Sequence, residues 1–307
     1  MMVGELNDLL TRLEVSLAPM RGEPRELDGG ITNRNFRVTF GDDDYVVRRP
    51  GKDTELLGID RTAERLANEA AARLGIAPAV AIALEDCLVT RYVSCRPIGA
   101  GELAEGVEEL ARDLRAFHDC GAQLPSRFFV PELLEHYAAI VRARGGVVPG
   151  EYDEAVLVVA RICDAVAPAD LRPCHNDLLR GNVIRASANG RLMIVDWEYA
   201  GMGDPRFDLG NLSVNNAFDE ATDERLLRAY YDEPPSQARR AALKLMRVLS
   251  DAREAAWAVV QAQISELDFD FESYGREHLE RLHATVEQPH FEEWLTTAGG
   301  KASGQTA

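Results

Sequence analysis

The chain has 307 residues, 46% hydrophobic and 28% charged, an ordinary globular composition with enough length for two lobes or one large domain. Thirty-four Lys and Arg against 51 Asp and Glu leave a formal charge of −17, which argues against a basic nucleic-acid-binding surface. Such a field attracts small cations, although acidity of this size also serves solubility alone. Cys87, Cys95, Cys120, Cys163 and Cys174 are scattered without a CxxC pair, so reduced thiols and a cytoplasmic setting are expected, with no metal signature. The opening MMVGELNDLLTRLE lacks the features of a signal peptide, and no apolar run is long enough to cross a bilayer.

In chain order, residues 5–17 have the pattern of a short amphipathic helix. RELDGGITNRNFRVTF, GDDD and YVVRRP then predict strand, turn, strand, tight turn, strand, because β-branched and aromatic residues alternate between turn formers. Residues 60–74 predict a helix that starts on Asp60 as N-cap and stops at Gly75. AVAIAL and CLVTRYV, separated by ED, predict a second hairpin. Beyond SCRPIGAGE the texture turns helical, at 102–121, 131–144 and 151–166. Two short strands at 183–186 and 191–195 follow, then helical patterns at 222–232, 235–265 and 272–287. The expected organisation is a lobe over residues 1–95, a larger helical lobe over 96–297, and a disordered tail over 298–307.

A polar cluster interrupts the apolar pattern in RPCHNDLLRGNVIRASANGRLMIVDWEYAG, residues 172–201. His175-x-Asp177-x4-Asn182, followed by a strand closing on Asp196, has the order of a kinase catalytic loop and metal-binding aspartate. Asp177 is suited to accept or orient a hydroxyl proton. Asn182 and Asp196 offer the hard oxygens that magnesium prefers. An isolated HxD means little, and an Asx-rich turn is the structural alternative; the full spacing is far more specific.

HNDLLRGN together with IVDWEYAGMGDPRFDLGN resembles the choline/ethanolamine kinase branch of the aminoglycoside-phosphotransferase-like kinases, over residues 27 to 287 or so. Asp196-Trp197-Glu198 stands in place of a protein kinase's DFG, and no APE-type ending is present. The resemblance implies an α+β fold of protein-kinase type. Its N-terminal lobe would be small and mainly antiparallel with one main helix, and its C-terminal lobe larger and mostly helical. It further implies ATP and Mg2+ as cofactors and a small-molecule acceptor, with no nucleic acid and no membrane insertion, in a monomer or homodimer. Gly29, Gly30, Thr32 and Asn33 fall in the phosphate-binding turn of DGGITNRNFRV, though Gly-Gly alone is also an ordinary hairpin. Arg48 rather than Arg49 takes the nucleotide-contacting position, with Arg49 on the other face of the strand. Its helical carboxylate is Glu64, with Glu69 as the alternative, and either could be a solvated charge. Residues 89–95, with Tyr92, match the hinge whose backbone meets adenine.

AAWAVVQAQISELDFDFESYG, residues 255–275, resembles the segment lining the family's amine pocket, which puts Trp257, Phe269 and Tyr274 among its aromatics. The same residues also suit a core stripe. Two positions depart from the family pattern: Glu254 replaces a tryptophan, and Asn215 replaces an acidic residue. Glu254 is the expected compensating anion, suiting a primary or secondary amine at least as well as choline. Asp208 is expected to brace a loop, and His118 and His278 to be structural or surface residues. The expected activity is ATP-dependent phosphorylation of choline, ethanolamine or a related amino alcohol. The alternatives are another alcohol acceptor (aminoglycoside, thiamine or sugar) or a nucleotide-binding module without catalysis.

Overall fold

The computed structural model describes residues 2–27, 33–51, 53–96 and 98–299. Helix α1 (Met2–Ser16) leads into strands β1 (Met20–Leu27), β2 (Asn33–Phe40) and β3 (Asp43–Pro50). Helix α2 (Arg61–Arg73) follows, then β4 (Val80–Leu84) and β5 (Cys87–Arg91). These strands form one antiparallel sheet in the order β1-β2-β3-β5-β4. Leu9, Leu10 and Leu13 of α1 close one core with Phe36, Val38, Phe40, Val47 and Val89 of the sheet. The expected Asp60 cap is present, its carboxylate accepting from the amides of Thr62 (2.8 Å) and Ala63 (3.0 Å). Gly75, at φ 73°, ends the helix in the left-handed region as expected.

The second helix does not belong to the sheet's core. Ala63, Ala67, Ala70 and Ala71 instead join a cluster with Leu103, Leu110, Leu114, Phe117 and Trp197 from later in the chain. Small alanines let α2 lie close to that body, with Glu64 on its first turn buried against Arg48.

The larger lobe begins with β6 (Cys95–Arg96), α3 (Ala100–Glu105), α4 (Val107–His118), α5 (Val130–Ala143) and α6 (Gly150–Ala165). Next come β7 (Arg172–Cys174), β8 (Val183–Ala186), β9 (Leu192–Ile194) and β10 (Gly201–Gly203). They close with α7 (Pro205–Asn215), α8 (Glu220–Tyr231), α9 (Gln237–Ile264), α10 (Phe271–Val286) and α11 (Phe291–Ala298). The fold is therefore mixed, with an antiparallel N-terminal sheet and a mostly helical remainder. Strand β6 pairs with β8 of the larger lobe, so the chain has already crossed between lobes at Cys95.

Two helices escape the periodicity argument. Helix α7 is buried from Phe207 through Val214, its polar Asp208 and Asn211 included, so it shows no solvent-facing polar stripe there. Its signal is local: Asp204 caps it through the Arg206 amide (2.9 Å), and Pro205 opens its first turn. A Cβ on Gly210 would stand 2.4 Å from the Met246 Cβ, so glycine is what lets α7 press against α9. Helix α11 is only eight residues long, too short for a clear pattern. It takes in Ala298, which had been assigned to the tail; residues 300–307 lie outside the described residues.

Candidate active site

The catalytic loop is held by its backbone. Asp208, fully buried on α7, accepts from the amides of His175 (2.8 Å) and Asn176 (2.7 Å) and meets His118 Nε2 at 2.9 Å. Burial acts to raise the carboxyl's pKa, but these hydrogen bonds and the histidines leave it below the ordinary value. His118 is tied in turn to the Tyr230 hydroxyl at 2.8 Å. The loop-bracing and structural roles expected of Asp208 and His118 are thus visible as contacts. His278 likewise faces Asp251 at 2.9 Å.

His175 has no solvent exposure, and burial lowers its pKa to about 4. Its Nε2 lies 3.1 Å from the Val195 carbonyl and its ring meets Trp197 edge to face, which joins the loop to the end of β9. Asn176 and Asp196 both adopt left-handed backbone, at φ 67° and 64°. Asparagine and aspartate tolerate that conformation better than other side-chain-bearing residues. The two bends bring Asp177 and Asp196 toward one cleft.

Asn182 donates from Nδ2 to the Asp177 carbonyl (2.8 Å) and carboxylate (2.9 Å). Its nitrogen end is committed, which leaves the amide oxygen as the end that could meet a cation. Asp196 pairs with Arg48, which also pairs with Glu64. Glu69 instead meets Arg65 at 2.9 Å, four residues back, so Glu64 is the helical partner of Arg48. Arg49 reaches toward Glu5 at 3.7 Å on the opposite face of β3. A second arginine, Arg61, links Glu64 (2.8 Å), Thr54 (2.9 Å) and Glu198 (3.5 Å). Asn33 donates to Glu198 at 2.9 Å, so the start of β2 touches the loop after β9 directly. Gly29, Gly30 and Thr32 lie outside the described residues. The Tyr92 amide already donates to the Asp44 carbonyl at 2.9 Å, and Arg37 stacks on its ring at 4.1 Å. Any main-chain adenine contact by the hinge therefore does not use that N–H.

Burial raises the Asp177 carboxyl to about 7, opposed chiefly by Arg253. Burial and the nearby Glu198 raise Asp196 to about 6, opposed by Arg48 and Arg61. Asp177, Asp196 and Glu198 thus crowd together with arginines between them. Two oxygen ligands of the right chemistry, Asn182 and Asp196, stand where a divalent cation would relieve that crowding, so the residues fit magnesium.

Of the residues expected to line the acceptor pocket, Glu254 and Trp257 lie one helical turn apart on α9. Glu254 is buried, with Oε1 2.7 Å from Arg253 and Oε2 accepting from the Tyr274 hydroxyl at 3.0 Å. Trp257 donates to the Tyr199 hydroxyl at 2.8 Å and meets the rings of Phe271 and Tyr274 edge to face. It is buried in the helical core, as the core-stripe reading expects. Phe269 is 39% exposed and touches Phe271 and Tyr274 at the rim. Asn215 ends α7 with a buried Nδ2 that has no hydrogen-bond partner among the described residues. Sequence reasoning missed Arg253 and Tyr199. The former is the neighbour of a recognised position, and a charged residue inside an Ala-rich buried helix was the available signal.

The profile of the APH phosphotransferase enzyme family matches residues 23–245. The chain belongs to that family. The family match ends before Arg253, so it takes in Arg48, Glu64, Asp177, Asn182 and Asp196 but not the second half of α9 or α10. A solved choline/ethanolamine kinase family protein from Mesorhizobium loti is 28% identical, covering 98% of this chain and 100% of that one at a TM-score of 0.80. The choline kinase LicA from Streptococcus pneumoniae shares the fold at 24% identity and a TM-score of 0.77, covering 92% of this chain and 99% of that one. Protein LicA of Haemophilus influenzae is 24% identical over 273 residues, 85% of this chain and 79% of that protein. This APH-family member is accordingly a kinase-type phosphotransferase.

Proposed function

We propose that the protein transfers the γ-phosphoryl group of ATP to the hydroxyl of choline, ethanolamine or a related amino alcohol. The observation that carries this reading is the convergence of Asp177, Asn182 and Asp196 on one cleft, facing the Arg48–Glu64 pair. Arg48 offers a guanidinium fork to the nucleotide phosphates, held in place by Glu64. Asn182 and Asp196 would hold magnesium, which when bound neutralises charge on the transferring group. Asp177 orients the acceptor hydroxyl and takes its proton as the oxygen attacks phosphorus. The bond from phosphorus to the β–γ bridging oxygen breaks, and ADP leaves. No covalent enzyme intermediate is needed, and positioning with charge neutralisation supplies most of the acceleration.

The amine would lie against Trp257 and Tyr274, with Glu254 as the nearby anion. The wall is a compact aromatic one, which favours a small amine over a bulky polycation such as an aminoglycoside. Among the described residues no helix is long and apolar enough to cross a membrane, and all five cysteines are unpaired; the cytoplasm is the proposed setting. The test is ADP release coupled to acceptor phosphorylation over choline, ethanolamine, its methylated forms, kanamycin, thiamine and simple sugars. Magnesium-dependent transfer to the amino alcohols is expected. Nucleotide binding with no transfer to any hydroxyl compound would defeat the proposal.

A further inference from the structure

Arg253 is the cleft residue that phosphoryl transfer to a simple amino alcohol does not explain. It is 1% exposed, and its guanidinium carbon stands 4.3 Å from the centre of the Tyr199 ring. One nitrogen, Nη1, serves both neighbouring acids: Asp177 Oδ1 at 3.0 Å and Glu254 Oε1 at 2.7 Å. The other two, Nε and Nη2, are buried with no hydrogen-bond partner among the described residues. Buried donors are costly to leave unmade, and an arginine kept for structure alone is expected to spend its N–H groups. Nε and Nη2 lie along one edge of the planar guanidinium with parallel N–H bonds. That edge is the fork that matches the two oxygens of a carboxylate.

The position of Arg253 decides which bound molecule the fork meets. Arg253 bonds Asp177 and Glu254 and stacks on Tyr199, whereas Arg48 pairs with Asp196 and Arg61 meets Glu64 and Glu198. Arg253 therefore belongs to the acceptor side of Asp177 rather than to the phosphate side. Glu254 and Asp177 share this one guanidinium charge, so a net negative charge remains there for an ammonium. A bare quaternary ammonium would use that charge but offer the fork nothing. An acceptor with both an ammonium and a carboxylate would satisfy both: the ammonium against Glu254, Trp257 and Tyr274, the carboxylate on Nε and Nη2.

We propose that Arg253 is a specificity-determining residue whose Nε–Nη2 edge binds a carboxylate of the acceptor, so that the preferred substrate class is a hydroxy-amino acid. This rests on the phosphoryl-transfer reading above and narrows its acceptor. The test compares pairs that differ only in the carboxylate: L-serine with ethanolamine, and L-homoserine with 3-aminopropan-1-ol, using Mg·ATP and the full chain. In at least one pair the wild-type protein should favour the carboxylate-bearing member by about ten- to a hundred-fold in kcat/KM. Arg253→Lys keeps a cation for Asp177 and Glu254 but loses the fork, so it should erase most of that ratio, mainly through KM. If the lysine variant does not fold, the wild-type ratio alone decides. Equal or better use of both amino alcohols, or a ratio unchanged in Arg253→Lys, overturns the carboxylate site and leaves the phosphoryl-transfer reading standing. Absence of ATP-dependent phosphorylation of any alcohol in either series or in the wider screen overturns both.

Discussion

The two sides of the cleft are built differently. The proposed nucleotide side hangs on loop bends and strand ends: Asp177 and Asn182 on one loop, Asp196 just past β9, Arg48 on β3 and Glu64 on the first turn of α2. All but Asn182, whose side chain bonds Asp177 of its own loop, are tied to a side chain from a different element. The acceptor side is cut from helix faces, with Arg253, Glu254 and Trp257 on α9 and Tyr274 on α10. A helix face can change one residue without moving its neighbours, so chemistry can stay constant on one side while recognition varies on the other. Substitutions on the nucleotide side should then harm all acceptors alike, and those on α9 and α10 should change their ranking.

The largest effects should come from Asp177→Ala and Asp196→Ala, each lowering kcat by about 10³-fold or more for every acceptor. Asp196→Ala should also weaken magnesium-dependent ATP binding, measurable by titration. An effect confined to one acceptor would break the comparison. Glu64→Ala leaves Arg48 and Arg61 short of a buried partner and should destabilise the fold by about 3–5 kcal/mol, read from denaturant unfolding. Below pH 7 or so the buried Asp177 becomes protonated, because its pKa is raised rather than lowered. kcat/KM should therefore fall toward tenfold per pH unit on the acid side and level off above, whichever acceptor is used.

Smaller effects belong to the acceptor wall. Tyr274→Phe removes one hydrogen bond to Glu254 and should cost about 1 kcal/mol in acceptor binding, seen as a raised KM with little change in nucleotide affinity. Phe269→Ala, at the exposed rim, should change stability by about 0.5 kcal/mol or less.

The legible parts were those with short-range grammar. Asp60 as N-cap, Gly75 as stop, the paired hairpins and the spacing from His175 to Asn182 all depend on residues a few positions apart. Helix α7 was missed because burial on every side removes periodicity, although Asp204-Pro205 announced its start. Arg253 was missed because its meaning comes from Asp177 and Tyr199, 76 and 54 positions earlier in the chain.

From the sequence alone came the two-lobed plan, the kinase-like order from His175 to Asp196 and the choice of Arg48 over Arg49 as the arginine that meets the helical carboxylate. These rest on local propensity and fixed spacing, which survive without coordinates. Tertiary structure decided that Glu64 rather than Glu69 meets Arg48, that α2 packs on the far lobe, and that Glu254 shares its charge with a buried arginine. Those outcomes depend on which distant groups burial forces together, since a charge taken out of water must find its partner wherever the fold puts one.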